Sequence, residues 1–412
     1  MHRSKLVLSF LAMLALASAA GESSAQTFST LASFQLADGF HTEGGVTVIG
    51  STLYGVTHNG GANNAGTFFS VPTGGGAPTV LGTFTTAAGE YSQSDLIVSG
   101  STFYGASAGG GANGDGTVYS VPMSGGAPTA LASFNGTDGT GPAGSLLLVG
   151  STLYGMTNSG GASNDGTIFS VPATGGTPTV LASFNGTNGA DTHGAASLTL
   201  VGSTLYGMTY SGGTYGAGNI FSIPLTGGTI TNLFSFDGTY PNYPHGASPE
   251  GGLTLVGATL YGMTPTGGAY GDGTIFSIPV SGGTPTVLAS FDGANGQYPL
   301  AGLTLRGSTL YGTTELGGLN GEGAIFSIPL SGGTITDLYS FDQMYSYPQS
   351  DLTLSADGST LYGTAFQGGT NNLGSVFALT LPTPEPSSIV LCVLGAIALG
   401  ATALRRIMSQ AA

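Results

Sequence analysis

Short apolar and aromatic runs alternate with glycine-rich breaks along most of the chain, and they follow one grammar. Leu198 to Phe236 shows it. An apolar run (Leu198 to Val201) meets a Gly-Ser turn and then Thr204-Leu205-Tyr206-Gly207-Met208-Thr209. A glycine-rich loop (Ser211 to Gly218) leads to Ile220-Phe221-Ser222-Ile223-Pro224, a Thr-Gly-Gly turn and a last run from Ile230 to Phe236. β-Branched and aromatic runs punctuated by Gly, Asn and Pro are strand signals, so the unit predicts four strands, A to D. No stretch of the body has helical periodicity with caps.

The unit repeats. Tyr-Gly recurs at Tyr54, Tyr104, Tyr154, Tyr206, Tyr261, Tyr311 and Tyr362, at intervals of 50 to 55 residues. The first strand after the N-terminal apolar run is a D strand, Leu31 to Phe34, and the last is a C strand, Val376 to Leu379. An open solenoid gains nothing from an orphan strand, whereas a ring pairs these two and hides two sheet edges. Stacked blades cover both faces of a strand, which suits runs such as Thr274 to Ile278 that are apolar nearly throughout. The expected fold is all-β: a seven-bladed β-propeller of four-stranded blades, closed by the N-terminal strand. A β-solenoid is the alternative.

Composition narrows the partners. With 412 residues, 40% apolar content and 75 Gly, the chain suits a turn-rich β fold better than a linker or collagen. Its single cysteine, Cys392, leaves disulfides no part in the fold. Between Lys5 and Arg405 the one basic residue is Arg306, against 18 acidic residues from Asp38 to Asp357. Such a body repels phosphate backbones, which argues against nucleic acid and leaves cations or neutral glycans.

Both ends read as addresses. Residues 1–25 resemble a signal peptide: a basic start, an apolar run from Leu6 to Ala20, and Ser23-Ser24-Ala25 as the site for signal peptidase. The body is then 26–381 and the tail 382–412. In the tail, Pro384-Glu385-Pro386 precedes 16 uncharged residues (Ile389 to Leu404) and Arg405-Arg406. Such a run rises about 24 Å as a helix, against about 30 Å of hydrocarbon. One reading is a tail anchor with its arginines in the cytoplasm. The ordered set also resembles the PEP-CTERM sorting signal. That resemblance implies an exosortase that removes the helix and passes the protein towards the envelope or exopolysaccharide. Either way the expected location is the cell surface, envelope or matrix, with membrane contact through the C-terminal helix.

The units resemble the GloVer tandem-repeat family, with Leu260-Tyr261-Gly262-Met263-Thr264, Gly267-Gly268 and Gly273-Thr274-Ile275-Phe276 carrying the likeness. Phe103, Asn219 and Ala324 depart from the pattern. The resemblance implies different C-terminal anchors among members and no agreed activity.

Binding is expected on the face of the long B–C and D–A loops, held by a rigid scaffold. Asp115, Asp165, Asp272 and Glu322 share one B–C position, each before a Gly. They are candidate Ca²⁺ ligands or, more simply, turn residues. Ca²⁺ asks for six or more oxygens, and the equivalent Ala65, Ala217 and Leu373 offer none. Asp237, Asp292 and Asp342 follow D strands where Asn135 and Asn185 also occur, which suggests turn caps. Tyr240, Tyr243, Tyr270, Tyr298 and Tyr347 are candidate sugar platforms, with inter-blade packing as the simpler role. His245 and Glu250 join them from the longest loop, Asp237 to Gly252. Gly105 to Gly109 matches Gly-x-Ser-x-Gly and Gly109 to Gly114 matches Gly-x-Gly-x-x-Gly, but no helix follows either.

Three functions fit. The leading one is a non-catalytic surface or matrix protein that binds glycan or another envelope component. The second is a structural spacer without a ligand. The third is an extracellular polysaccharide-acting enzyme, which requires carboxylates converging on the axis from different blades.

Overall fold

The computed structural model describes residues 26–382, apart from 194–195, 238–242 and 343–344. Two compact units divide the chain: residues 28–378, and residues 1–27 with 379–412. The signal-peptide and tail readings fall almost wholly outside the described residues. Among the described residues no helix is long and apolar enough to cross a membrane.

The expected fold stands: seven antiparallel blades, each with four strands in the order A-B-C-D, blade 2 adding the short Glu90–Ser92 beside its strand B. Blade 1 has Thr47–Ile49, Thr52–Val56, Thr67–Pro72 and Thr79–Thr83. Blade 7 takes Thr353–Leu354, Thr360–Ala365 and Ser375–Thr380 from one end of the chain and Thr27–Ser33 from the other. Past that strand Phe34 N–H donates to the Gly374 carbonyl at 3.1 Å, and Asn371 Nδ2 donates to Phe34 O at 2.9 Å. The chain returns on itself, so the solenoid alternative fails.

The repeat signature has a packing cause. In strand B the Gly of Tyr-Gly lies under the strand C aromatic opposite it. A Cβ on Gly262 would stand 2.7 Å from Phe276 Cζ, and one on Gly363 2.5 Å from Phe377 Cζ. Only glycine leaves that ring its seat. The same ring meets the Phe that ends the preceding blade's D strand, edge on. The pairs are Phe34–Phe69, Phe134–Phe169, Phe184–Phe221, Phe236–Phe276, Phe291–Phe326 and Phe341–Phe377, with Phe84–Tyr119 in the remaining joint. Centroids lie 4.9 to 5.6 Å apart. Each such pair contributes about 0.5–1.5 kcal/mol beyond its buried area.

Hydroxyls tie the inner parts. The Thr that ends strand B bonds the Thr that starts strand C, as in Thr157–Thr167 at 3.0 Å and Thr264–Thr274 at 2.8 Å. Asn219 keeps this link, accepting from Thr209 Oγ1 at 2.7 Å, whereas Ala324 loses its half. Strand A threonines donate to the next blade: Thr47 to Leu96 O, Thr199 to Leu253 O, Thr254 to Leu303 O and Thr304 to Leu352 O.

Candidate functional site

Each D–A loop is pinned to the far end of strand B. Bridges join Phe40 to Asn59, Glu90 to Gly109, Thr140 to Ser159, Ala190 to Ser211, Ala247 to Thr266, Gln297 to Leu316 and Ser346 to Gln367. Next in each loop stands a residue with positive φ: His41, Tyr91, Gly141, Asp191, Ser248, Tyr298 and Tyr347, with φ between 54° and 64°. Six of the seven are not glycine, a conformation that costs about 1–3 kcal/mol and persists only when its surroundings impose it. Here they do. Tyr298 N–H donates to the Asp272 carbonyl of the preceding blade at 3.2 Å, while its own carbonyl accepts from Glu315 N–H at 2.9 Å. His41, Gly141, Asp191, Ser248 and Tyr347 donate in the same way to Leu373, Asp115, Asp165, Ala217 and Glu322.

That left-handed residue aims the one two places on. Glu43, Gln93, His193, Glu250, Leu300 and Gln349 occupy that place, and all six line a cavity of about 420 Å³. Asn158 and Ala108 from strands B of blades 3 and 2, with Tyr298 and Glu315 of blade 6, complete its wall. Every blade contributes. In a closed ring, a space walled by all seven blades lies on the axis, at the long-loop face.

Inside it the charges are paired off. His193 Nδ1 lies 3.2 Å from Glu250 Oε2, and that hydrogen bond is the main cause of its raised pKa. Gln349 Nε2 donates to Glu315 Oε1 at 2.8 Å. Burial pushes the Glu315 carboxyl up, and the charge of Glu250 adds to this. Burial likewise raises Glu43, against the opposing pull of His58, 3.6 Å away, and a hydrogen bond from Gln93.

Two residues beyond Gln93 and Gln349, Asp95 and Asp351 lie on either side of Gly45. A Cβ on Gly45 would stand 2.9 Å from Asp351 O and 3.1 Å from Asp95 Oδ1. Asp95 accepts the Gly45 N–H and Asp351 the Gly302 N–H, each at 2.5 Å. Burial, and then the charge of Asp351, push Asp95 up to about 7. Burial also raises Asp351.

Of the residues singled out from sequence, Glu250 and Tyr298 line the cavity. The others do not. Tyr243 packs against the joint of blades 4 and 5, and His245 Nδ1 sits 2.6 Å from Asp237 Oδ1. Tyr270 is 68% exposed at a B–C tip, Tyr347 holds its loop through its backbone, and Tyr240 lies outside the described residues. So do Pro384, Glu385, Pro386, Arg405 and Arg406. Asp115, Asp165, Asp272 and Glu322 stand one to a blade, because a position that recurs once per repeat is spread around the ring. Among the described residues no three His, Cys, Asp or Glu side chains form a group that could hold a metal ion. Asn135, Asn185 and Asp292 do cap their turns, accepting from Asp138, Asn188 and Asn295 N–H.

Sequence reasoning missed Glu43, Gln93, Asn158, His193, Glu315 and Gln349. The signal that finds most of them is alignment of the D–A loops from the strand B bridge. Counting back from strand A misplaces His193, since blade 4 carries two extra loop residues.

Fold and cavity together define a seven-bladed propeller with an acidic axial pocket. The chain belongs to the Gloeobacter/Verrucomicrobia repeat family, whose model matches residues 21–209 and 197–391. No curated protein matches it. Among solved structures, a puromycin-hydrolyzing peptidase of Mycobacterium tuberculosis is similar at 13% identity and TM-score 0.52, covering 85% of this chain and 52% of its own. A protein of Bacteroides fragilis NCTC 9343, given provisionally as a 6-phosphogluconolactonase, is similar at 17% identity and TM-score 0.50, covering 82% and 93%. At these identities the likeness concerns the fold alone.

Proposed function

We propose that this is an exported, surface- or matrix-associated protein that binds glycan or another envelope component in its axial pocket without catalysing a reaction. The cavity is the observation that carries this. At about 420 Å³ it falls in the ordinary range for small-ligand sites, roughly 300–1,000 Å³. Carboxylates and carboxamides are suited to paired sugar hydroxyls, and Tyr298 offers a flat apolar ring with a polar tip. The groups are held by rigid blades and by one another, so little freedom is lost on binding. The leader and the tail support export by signal peptidase and retention through an exosortase-like enzyme. Purified protein on a glycan array tests the reading. Binding that weakens on Gln349→Ala supports it, and no binding to any glycan favours the spacer.

One observation favours a second reading. Glu43, Glu250 and Glu315 come from blades 1, 5 and 6 to a common cavity, as a polysaccharide-acting enzyme requires. Turnover of an extracellular polysaccharide that disappears in Glu315→Gln would establish it.

A further inference from the structure

We infer that the axial pocket selects a sugar bearing a free primary amine over its neutral or acidic counterparts. This rests on the glycan reading and names the ligand class within it. The hydrogen-bond inventory of the wall points there. Its two glutamines are engaged by its own acids: Gln349 Nε2 by Glu315, and the Gln93 side chain by Glu43. The His193 ring is engaged with Glu250. Most of what remains open is acceptor capacity. A carboxylate has about four lone-pair sites and each of these three has few protein donors. Asn158 adds an Oδ1 that is shut from water without a partner. A ligand for such a wall must bring donors, and an ammonium brings three.

Charge agrees with the inventory. His193 is the one cavity residue able to carry positive charge, against three carboxylates. The body's single arginine, Arg306, ends strand A beside Gly358, whose Cβ would stand 3.8 Å from its Nε, at the turn end of the blades and away from the long-loop face. A uronate or a sugar phosphate would meet net repulsion, with three carboxylates against one imidazole. A bare divalent ion also fits poorly. It needs six or more oxygens on one centre, whereas no three acidic or histidine side chains among the described residues stand close enough together to hold a metal ion. Carboxylates spaced around a cavity suit a charge carried on a larger, hydroxyl-rich body. Burial that raises Glu43 and Glu315 is a cost that a buried ammonium partner would offset.

The test compares a short glucosamine oligomer with its N-acetylated twin by titration calorimetry against the purified full chain, at pH 6 and at two salt concentrations. The free-amine form should bind about tenfold tighter or better, since one charge-assisted hydrogen bond is worth about that factor. Its affinity should fall as salt rises. Glu43→Gln and Glu315→Gln should each narrow the preference while leaving the melting temperature unchanged or higher. Equal or tighter binding of the acetylated twin overturns the amine preference and leaves the glycan reading intact. So does binding of some other glycan when neither oligomer binds. Silence from every glycan overturns both.

Discussion

Thr353 Oγ1 donates to the backbone carbonyl of Val46 at 2.5 Å, across 307 positions of sequence. It is the link in the strand A belt that joins blade 7 to blade 1. The ring is thus fastened twice: at its inner edge by this bond, and at its outer edge by Thr27–Ser33 lying beside Ser375–Thr380. Ile97 and Leu147 hold the same position in blades 2 and 3, so the belt tolerates gaps.

Thr353→Val keeps the shape and removes the donor. We expect a loss of about 1 kcal/mol in urea unfolding with the fold retained. An unchanged midpoint would show that this bond adds nothing to closure.

Phe28 belongs to the closing strand. It stacks on Tyr339 at 3.7 Å and 5°, and lies 5.5 Å from Phe377. Phe28→Ala should cost roughly 3 kcal/mol. Amide exchange should rise first in strand C of blade 7. Faster exchange confined to other blades would contradict this view of the closure.

Gly262→Ala should cost about 1–3 kcal/mol by overpacking, because its new Cβ would meet Phe276 Cζ at 2.7 Å and Leu253 Cδ2 at 3.0 Å. Phe276→Leu in the same chain should recover part of that loss, as expected for residues in contact. Strict additivity of the two substitutions would exclude the steric account.

The Asp95–Asp351 pair predicts an unusual pH profile. Asp95 keeps its proton in the fold up to about 7, whereas the unfolded chain releases it near 3.9. Between those values the native state binds more protons, so stability falls as pH rises from about 4 to about 7 and levels off above. The raised Asp351 acts in the same direction. Asp95→Asn keeps an oxygen for the Gly45 N–H and should flatten the profile while raising the melting temperature above pH 7. A wild-type stability that climbs from pH 4 to 7 would refute the pairing.

His193 owes its raised pKa first to Glu250. Glu250→Gln should therefore move its titration, followed by NMR of the imidazole, to lower pH. A titration left in place would mean that the 3.2 Å contact does not govern its charge.

Strand count, unit boundaries and ring closure were legible because they depend on local chemistry repeated seven times. Tyr-Gly marks strand B because an aromatic must lie over that glycine, and the early D strand needs the unpaired C strand at the far end. The pocket was hidden for the opposite reason. Glu43, Gln93, His193, Glu250 and Gln349 share a place but no single residue type, and the turn that aims them is built on His41, Tyr91, Asp191, Ser248 and Tyr347 with equal indifference to side chain. Periodicity drew the eye to Asp115, Asp165, Asp272 and Glu322, which the same periodicity keeps apart.

The sequence by itself determined seven four-stranded units and the way their two loose ends complete one another, since hydrophobic period, turn residues and strand order act over short spans of chain. Only the tertiary structure decided which side chains meet on the axis. Closing the ring brings together loops some 50 to 300 residues apart, and a left-handed backbone imposed by the neighbouring blade, which no single loop encodes, turns them inward.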